Sequence, residues 1–354
     1  MKKLGHLKTY KMKLTTLSPI FIGGGEFSDL SKLQYIYNPE TKELKIIDEA
    51  KFMSFLKRTN LLDKFVNYVS NPQPNKKGPN LLDWINQNSK NKDLDIYKRV
   101  EKLDNITNRN LNYVRSFIKD KNGKPYIPGS SIKGAIKTAL LANLIKEGLN
   151  ITTAEEYLKE QMRFLHITDS KSQPTSTLMY RQTAHQQMIS DENSMKKGFL
   201  RIDKKLMNVD NNLKEMLREG LVIYFDITID NNFKYDLETL LSIISDFYSE
   251  VYEENKILNA ISKRLKTNIN VPNCIPNINI GGQSGFNTKV VLKVLSTSEV
   301  DYIRRKKEIL SKSFKKHGHN ATIIAPRCLR VVERFKENDK TLMPLGWCNI
   351  SIAE

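Results

Sequence analysis

The sequence predicts an α+β protein made of two ferredoxin-like units. Three observations point there. Alternating apolar strands occur near both ends of the chain. Amphipathic helices stand between strands in each half. Glycine-rich turns sit at the ends of elements. This order fits a pair of βαββαβ units better than a doubly wound parallel sheet. At 354 residues the chain is long enough for about two domains. The expected division is residues 1–205 and 206–354. The first part should carry a helical insertion at about 60–110 and an extended arm at about 171–198.

Residues 7–17 set Tyr10, Met12 and Leu14 against Lys11, Lys13 and Thr15, the pattern of a half-buried strand. The strand runs into Gly23-Gly24-Gly25. Leu33–Tyr37 and Leu44–Ile47 are expected strands around the turn Asn38-Pro39-Glu40. Residues 49–69 read as helix, broken near Asn60, with Phe52, Phe55, Leu56, Phe65 and Val66 in the apolar stripe. Residues 71–80 hold prolines and a glycine and read as a loop. Residues 81–110 show weak helical periodicity and close an insertion with a small core of its own. A strand at 112–118 and the turn Lys121-Asn122-Gly123-Lys124 lead to Tyr126-Ile127-Pro128-Gly129-Ser130-Ser131-Ile132-Lys133-Gly134. The following helix puts Ile132, Ala135, Ile136, Ala139 and Leu140 on one face and ends near Gly148. Arg163–Asp169 is a strand candidate. The arm beyond it mixes Tyr, Met, Thr, His and Gln without core periodicity. Leu221–Ile229 is the clearest strand and Asp236–Ser262 the clearest helix. A third glycine turn, Gly281-Gly282-Gln283-Ser284-Gly285, precedes a basic helix at 298–314. Strands at 322–324, 329–334 and 347–352 close the chain.

Formal net charge is +18, from 57 Lys+Arg against 39 Asp+Glu. An imbalance of that size implies a polyanion partner, and nucleic acid fits better than an anionic membrane. No segment reaches the roughly 20 apolar residues of a membrane span. Met1–Lys8 lacks the apolar core of a signal peptide. Cys274, Cys328 and Cys348 are far apart and odd in number, as in a reduced, cytoplasmic protein without a disulfide framework or zinc knuckle.

The segment at 126–134 can serve as a phosphate site. Ser130 or Ser131 can cap the helix, its free first-turn amides and dipole then face outward, and Lys133 adds a charge. An ordinary capped helix has the same sequence. Gly23-Gly24-Gly25 and Gly281-Gly282-Gln283-Ser284-Gly285 can each cradle a phosphate or simply turn the chain. Three such turns in one basic chain favour recognition of a nucleic-acid backbone. Arg304-Arg305-Lys306-Lys307 would add electrostatic attraction. Catalytic signatures are sparse. His317-Gly318-His319 has no carboxylate or cysteine beside it to complete a metal site. His185 and His166 are the candidate general bases for RNA cleavage. Glu26 and Asp29 lie near a glycine turn and read as exposed loop residues rather than a metal pair. No phosphate-binding Gly-x-x-x-x-Gly-Lys-Ser/Thr loop or Gly-x-Ser-x-Gly elbow occurs.

Ile22-Gly23-Gly24-Gly25-Glu26, the 126–134 segment and Ile280–Gly285 stand in the order seen in RAMP proteins, the RNA-binding proteins of CRISPR systems, and most of the chain resembles that family. Length, basicity and Pro326-Arg327-Cys328-Leu329-Arg330 look most like the fifth-subunit family of the type III-A Csm effector. The resemblance implies RRM-like units and a non-catalytic role in binding crRNA, capping its 3′ end and assisting its maturation. Implied partners are crRNA, target RNA, other Csm subunits, above all the repeated backbone subunit, and host nucleases that trim crRNA. No cofactor or metal is implied. RNA-binding candidates are Gly23, Gly24, Gly25, Gly129, Ser130, Ser131, Lys133, Lys137, Gly281, Gly282, Ser284, Gly285 and Lys289. Tyr180 and Arg181 join them because Tyr180–Ala184 resembles the thumb hairpin of the backbone subunit. That subunit carries a catalytic Asp after its first glycine turn, where this chain has Gln34-Tyr35-Ile36-Tyr37, so target cleavage is not expected. The competing function is a metal-independent endoribonuclease that processes precursor crRNA.

Overall fold

The computed structural model describes residues 6–25, 28–38, 40–70, 81–89, 94–103, 114–172, 177–189, 202–264, 274–282, 284–313, 328–334 and 342–353. The expected loop at 71–80, the strand at 322–324, Glu26 and His317-Gly318-His319 lie outside them. The described elements run β1 (Leu7–Thr16), β2 (Tyr35–Asn38), β3 (Glu43–Ile47), α1 (Glu49–Arg58), α2 (Leu62–Ser70), α3 (Leu81–Asn88), β4 (Tyr97–Lys102) and β5 (Val114–Arg115). Then come α4 (Gly129–Lys146), α5 (Ile151–Gln161), β6 (Leu165–Ile167), β7 (Thr177–Ile189), β8 (Ile202–Leu217), β9 (Val222–Asp230) and α6 (Leu237–Arg264). The chain closes with β10 (Ile278–Asn279), α7 (Glu299–Ser313), β11 (Cys328–Arg334), β12 (Leu342–Met343) and β13 (Trp347–Ile352). Among the described residues no helix is long and apolar enough to cross a membrane.

The central sheet has the order β10-β13-β1-β9-β6 and is antiparallel throughout. Its strands β1, β6, β9 and β13, with α4 and α6 between them in sequence, trace one β–α–β–β–α–β path. The last strand lies beside the first, followed by the third and the second, which is the ferredoxin-like layout. Met12 and Leu14 of β1 and Ile223, Phe225 and Ile227 of β9 turn toward one face. Ile132, Ile136, Ala139 and Leu140 of α4 and Leu240, Ile244 and Tyr248 of α6 fill the same core. The Tyr248 hydroxyl donates to the Ala135 carbonyl at 3.1 Å, so the buried phenol keeps a partner. The expected boundary at 205/206 falls inside β8, and this sheet takes strands from both sides of it. The physical reason is insertion: long excursions separate β1 from α4, β6 from β9, and α6 from β13.

The first excursion has its own core. Ile36, Ile47, Phe52, Phe55, Leu56, Trp84, Ile85 and Ile96 pack together, with Phe65 edge-on to Phe52 at 5.1 Å between ring centres. Asp48 caps α1 by accepting from the Lys51 amide at 3.2 Å. Asn60, at a φ of 56°, breaks α1 from α2 where the sequence places the break. The expected helical insertion at about 60–110 keeps its small core but is corrected in part by β4. Tyr97–Lys102 alternates half-buried and exposed residues and pairs with β3 in the sheet β2-β3-β4.

The arm needs a larger correction. Its strand β7 is the middle of a second sheet, β12-β11-β7-β8-β5. Tyr180–Gln186 pairs with β11 on one side and β8 on the other. Among the described residues, Gln187–Ile189 pair with Ile202–Lys204 beyond the end of β11, and Thr177–Met179 pair with Glu215–Leu217 beyond its other end. At the root, Leu213, Met216 and Leu217 are buried. The root is therefore core.

Candidate nucleic-acid interface

Pro128, extended at φ −61° and ψ 135°, precedes α4 with no side-chain cap. This corrects the expected serine cap: Ser130 and Ser131 lie inside the first turn. The Gly129 amide donates to Asp169 Oδ1 at 2.8 Å. The amides of Ser131 and Ile132 donate to the Pro128 carbonyl at 2.9 and 3.4 Å. An internal carboxylate thus already occupies the positive end of the helix. The Ser130 amide remains as the first-turn donor that no described group accepts. A Cβ on Gly129 would lie 2.2 Å from the Ile167 carbonyl oxygen and 2.8 Å from that of Thr168. This close approach is to the protein's own backbone at the end of β6. The Lys133 ammonium donates to the Leu165 carbonyl at 2.6 Å, and desolvation lowers its pKa. Lys133 therefore buttresses the helix start. Lys137, one turn on, is exposed and has no ion pair among the described residues.

The first and third glycine turns meet. Gly281, at a φ of 92°, would put a Cβ 2.5 Å from the Phe21 carbonyl oxygen, and the Gly282 amide donates to that oxygen at 2.8 Å. Gly23 bridges to Phe117, and the Ile118 amide donates to the Ile22 carbonyl at 2.9 Å. The segment from Phe117 continues through the bridge Lys119↔Pro125 to Ile127, whose amide donates to Ser170 Oγ at 2.9 Å beside the start of α4. All three turns are thus tied into one framework. Gly23, Gly24, Gly25 and Gly282 stay exposed on it, as do Ser130 and Lys289. Ser284 does not: it is buried, its Oγ 2.9 Å from Thr288 Oγ1, while Thr288 donates to the Gly285 carbonyl at 3.0 Å. Gly285 and Ser131 are half-buried.

Two charged residues missed in the sequence hold this framework. Asp169 pins Gly129 from 40 residues away, a distance at which spacing carries no signal. Glu215 on β8 is only 2 % exposed; it accepts from Arg99 at 2.7 Å, Lys119 at 2.8 Å and the Phe117 amide at 3.2 Å. It thereby ties the small sheet and the first glycine turn to the second sheet. A buried carboxylate is stable only with such partners.

Several expected contributors are placed elsewhere. Tyr180 and Arg181 sit within the ladder of the second sheet, opposite Lys214 and Leu213 of β8 and Arg334 and Glu333 of β11, not at a hairpin tip. The basic run on α7 is largely neutralised within the protein. Arg304 pairs with Asp301 and Glu308, Arg305 with Asp301, and buried Lys306 with Glu254. Its free positive field is correspondingly smaller than the sequence suggests. Asp29 accepts from the Ser116 amide at 3.3 Å, a structural contact. His166 is exposed on β6, opposite Thr228. His185 lies on β7 opposite Leu206 and Leu329. Among the described residues no group of His, Cys, Asp and Glu could hold a metal ion.

The sequence pattern of the RAMP superfamily matches residues 13–286, and the chain belongs to that superfamily. The chain is 36 % identical over 140 residues to the Streptococcus thermophilus protein named "CRISPR system Cms protein Csm5", a match covering 38 % of each sequence. It is 26 % identical to the protein of the same name from Methanocaldococcus jannaschii, over 98 % of this chain and 90 % of that one. Its fold resembles a chain of a type III-A Csm–crRNA–target RNA ternary complex, with a TM-score of 0.64 at 18 % identity over 97 % of this chain and all of that one. It also resembles Csm5 of T. onnurineus, with a TM-score of 0.56 at 16 % identity over 95 % of this chain and 99 % of that one.

Proposed function

We propose that this chain is a non-catalytic crRNA-binding subunit of a type III-A Csm effector, stationed at the 3′ end of the guide beside the last repeated backbone subunit. The observation that carries this is the joining of the three glycine turns into one framework in a protein of net charge +18. Exposed backbone at Gly23–Gly25 and Ser130, with Lys137 and Lys289, offers contacts to phosphates without reading sequence. The relatives named Csm5 support the placement in an effector. Under this reading the subunit also contacts target RNA, and it assists crRNA maturation by presenting the guide end to separate host nucleases.

The test uses the purified full chain and end-labelled repeat RNA in EDTA. The proposal expects binding that weakens steeply with salt and leaves the RNA intact. Specific cuts abolished by His185→Ala or His166→Ala would instead establish an endoribonuclease. Absence of binding at low salt would remove the RNA-binding role altogether.

A further inference from the structure

We propose that the open face of the central sheet is a second platform for single-stranded RNA, with Tyr224 as its stacking ring and Lys11 and Lys13 as its phosphate contacts. This deepens the RNA-binding role proposed above and rests on it. The helices α4 and α6 fill only one face of the sheet. On the other, strand alternation brings out Lys11 and Lys13 from β1 and Val222 and Tyr224 from β9. Val222 is 44 % exposed and Tyr224 37 %.

The register makes these side chains one patch. Lys13 stands directly opposite Tyr224, and Lys11 opposite Asp226. The Lys11 ammonium lies 5.4 Å from the centre of the Tyr224 ring, within reach of a cation–π contact. Lys13 has no ion pair among the described residues. Residues two apart on a strand rise by about 6.8 Å, comparable to neighbouring phosphates on an extended single strand. A base arriving on the ring displaces the Lys11 ammonium, which then meets that nucleotide's phosphate.

A single strand fits this patch better than a protein does. Among the described residues of this face, the exposed apolar area is that of Val222 and Tyr224, bordered by two lysines. The core of a protein interface is depleted in charge and broader in its apolar surface. Unpaired bases, by contrast, need isolated rings beside cations. Asp226 opposes the anion at one position, and Lys11 faces it directly.

The experiment measures anisotropy of a fluorescein-labelled oligouridylate with the full chain across a salt series. Tyr224→Ala should weaken binding about 5- to 100-fold, while Tyr224→Phe keeps the affinity. Lys11→Gln/Lys13→Gln should flatten the slope of log affinity against log salt by about 1.4. A photoreactive benzoylphenylalanine at position 224 should crosslink to RNA, and this readout does not depend on a truncated side chain folding. If unsubstituted protein fails to bind, the RNA-binding role falls and the platform with it. If unsubstituted protein binds and the variants bind equally with the same slope, the platform alone is wrong. Crosslinking at 224 only to a neighbouring protein in the assembled effector would also overturn it.

Discussion

At the scale of single residues, Gly129 and Asp169 decide what the start of α4 can offer an anion. Gly129→Ala drives a methyl into the Ile167 carbonyl and should cost about 1–3 kcal/mol of stability, read as a lower urea midpoint. Asp169→Ala removes a carboxylate from the helix N-terminus, at a cost of about 0.3–1 kcal/mol. It also frees the Gly129 amide, so RNA should bind more tightly to this variant; weaker binding would show that the helix start is not an anion site. Lys137→Ala should leave the midpoint unchanged, weaken binding of unrelated RNAs about equally and flatten the salt slope by about 0.7. An unaltered slope would exclude Lys137 from the interface. The exposure of Lys137 was legible, since helical periodicity places it opposite Ile132 and Ile136. The roles of Gly129 and Lys133 were not, because both depend on the carbonyls of β6, more than one element away.

At the scale of elements, the second sheet sets what the arm can lose. Gln186 and Lys205 face each other directly across β7 and β8. Replacing residues 187–204 by a two-residue Asn-Gly turn should therefore keep the pairing with β11 and leave the protein folded. Removing 173–196 takes out the middle strand and should abolish cooperative unfolding of that sheet in a urea titration. Equal stability of the two variants would contradict the placement of β7. Elements with strong periodicity were legible: β1, β9, α6 and β13 lie where the alternation or the helical stripe puts them. Two were missed. Helix α5 buries only Ala154 and Leu158, too narrow a stripe to register. Strand β8 carries Asp203-Lys204-Lys205 directly after its first residue, and its buried root includes Lys214 and Glu215, which read as surface residues until their partners are known.

At the scale of the whole molecule, the ferredoxin-like path was legible as a class but not as a division of the chain. β1 at the beginning pairs with β13 at the end and with β9 in the second half. Strand neighbours are commonly close in sequence, and three long insertions override that tendency here. Net charge points to a polyanion partner, but where the charge is free was not legible, since Asp301, Glu308 and Glu254 take up the basic run on α7. The central claim is that this chain binds and caps the 3′ end of a guide RNA. The most direct measurement sequences the guide RNAs carried by effector complexes assembled with and without it. The account predicts that its omission shortens, lengthens or blurs the 3′ ends while the 5′ ends stay fixed. Guide RNAs with the same 3′ ends in both preparations would contradict it.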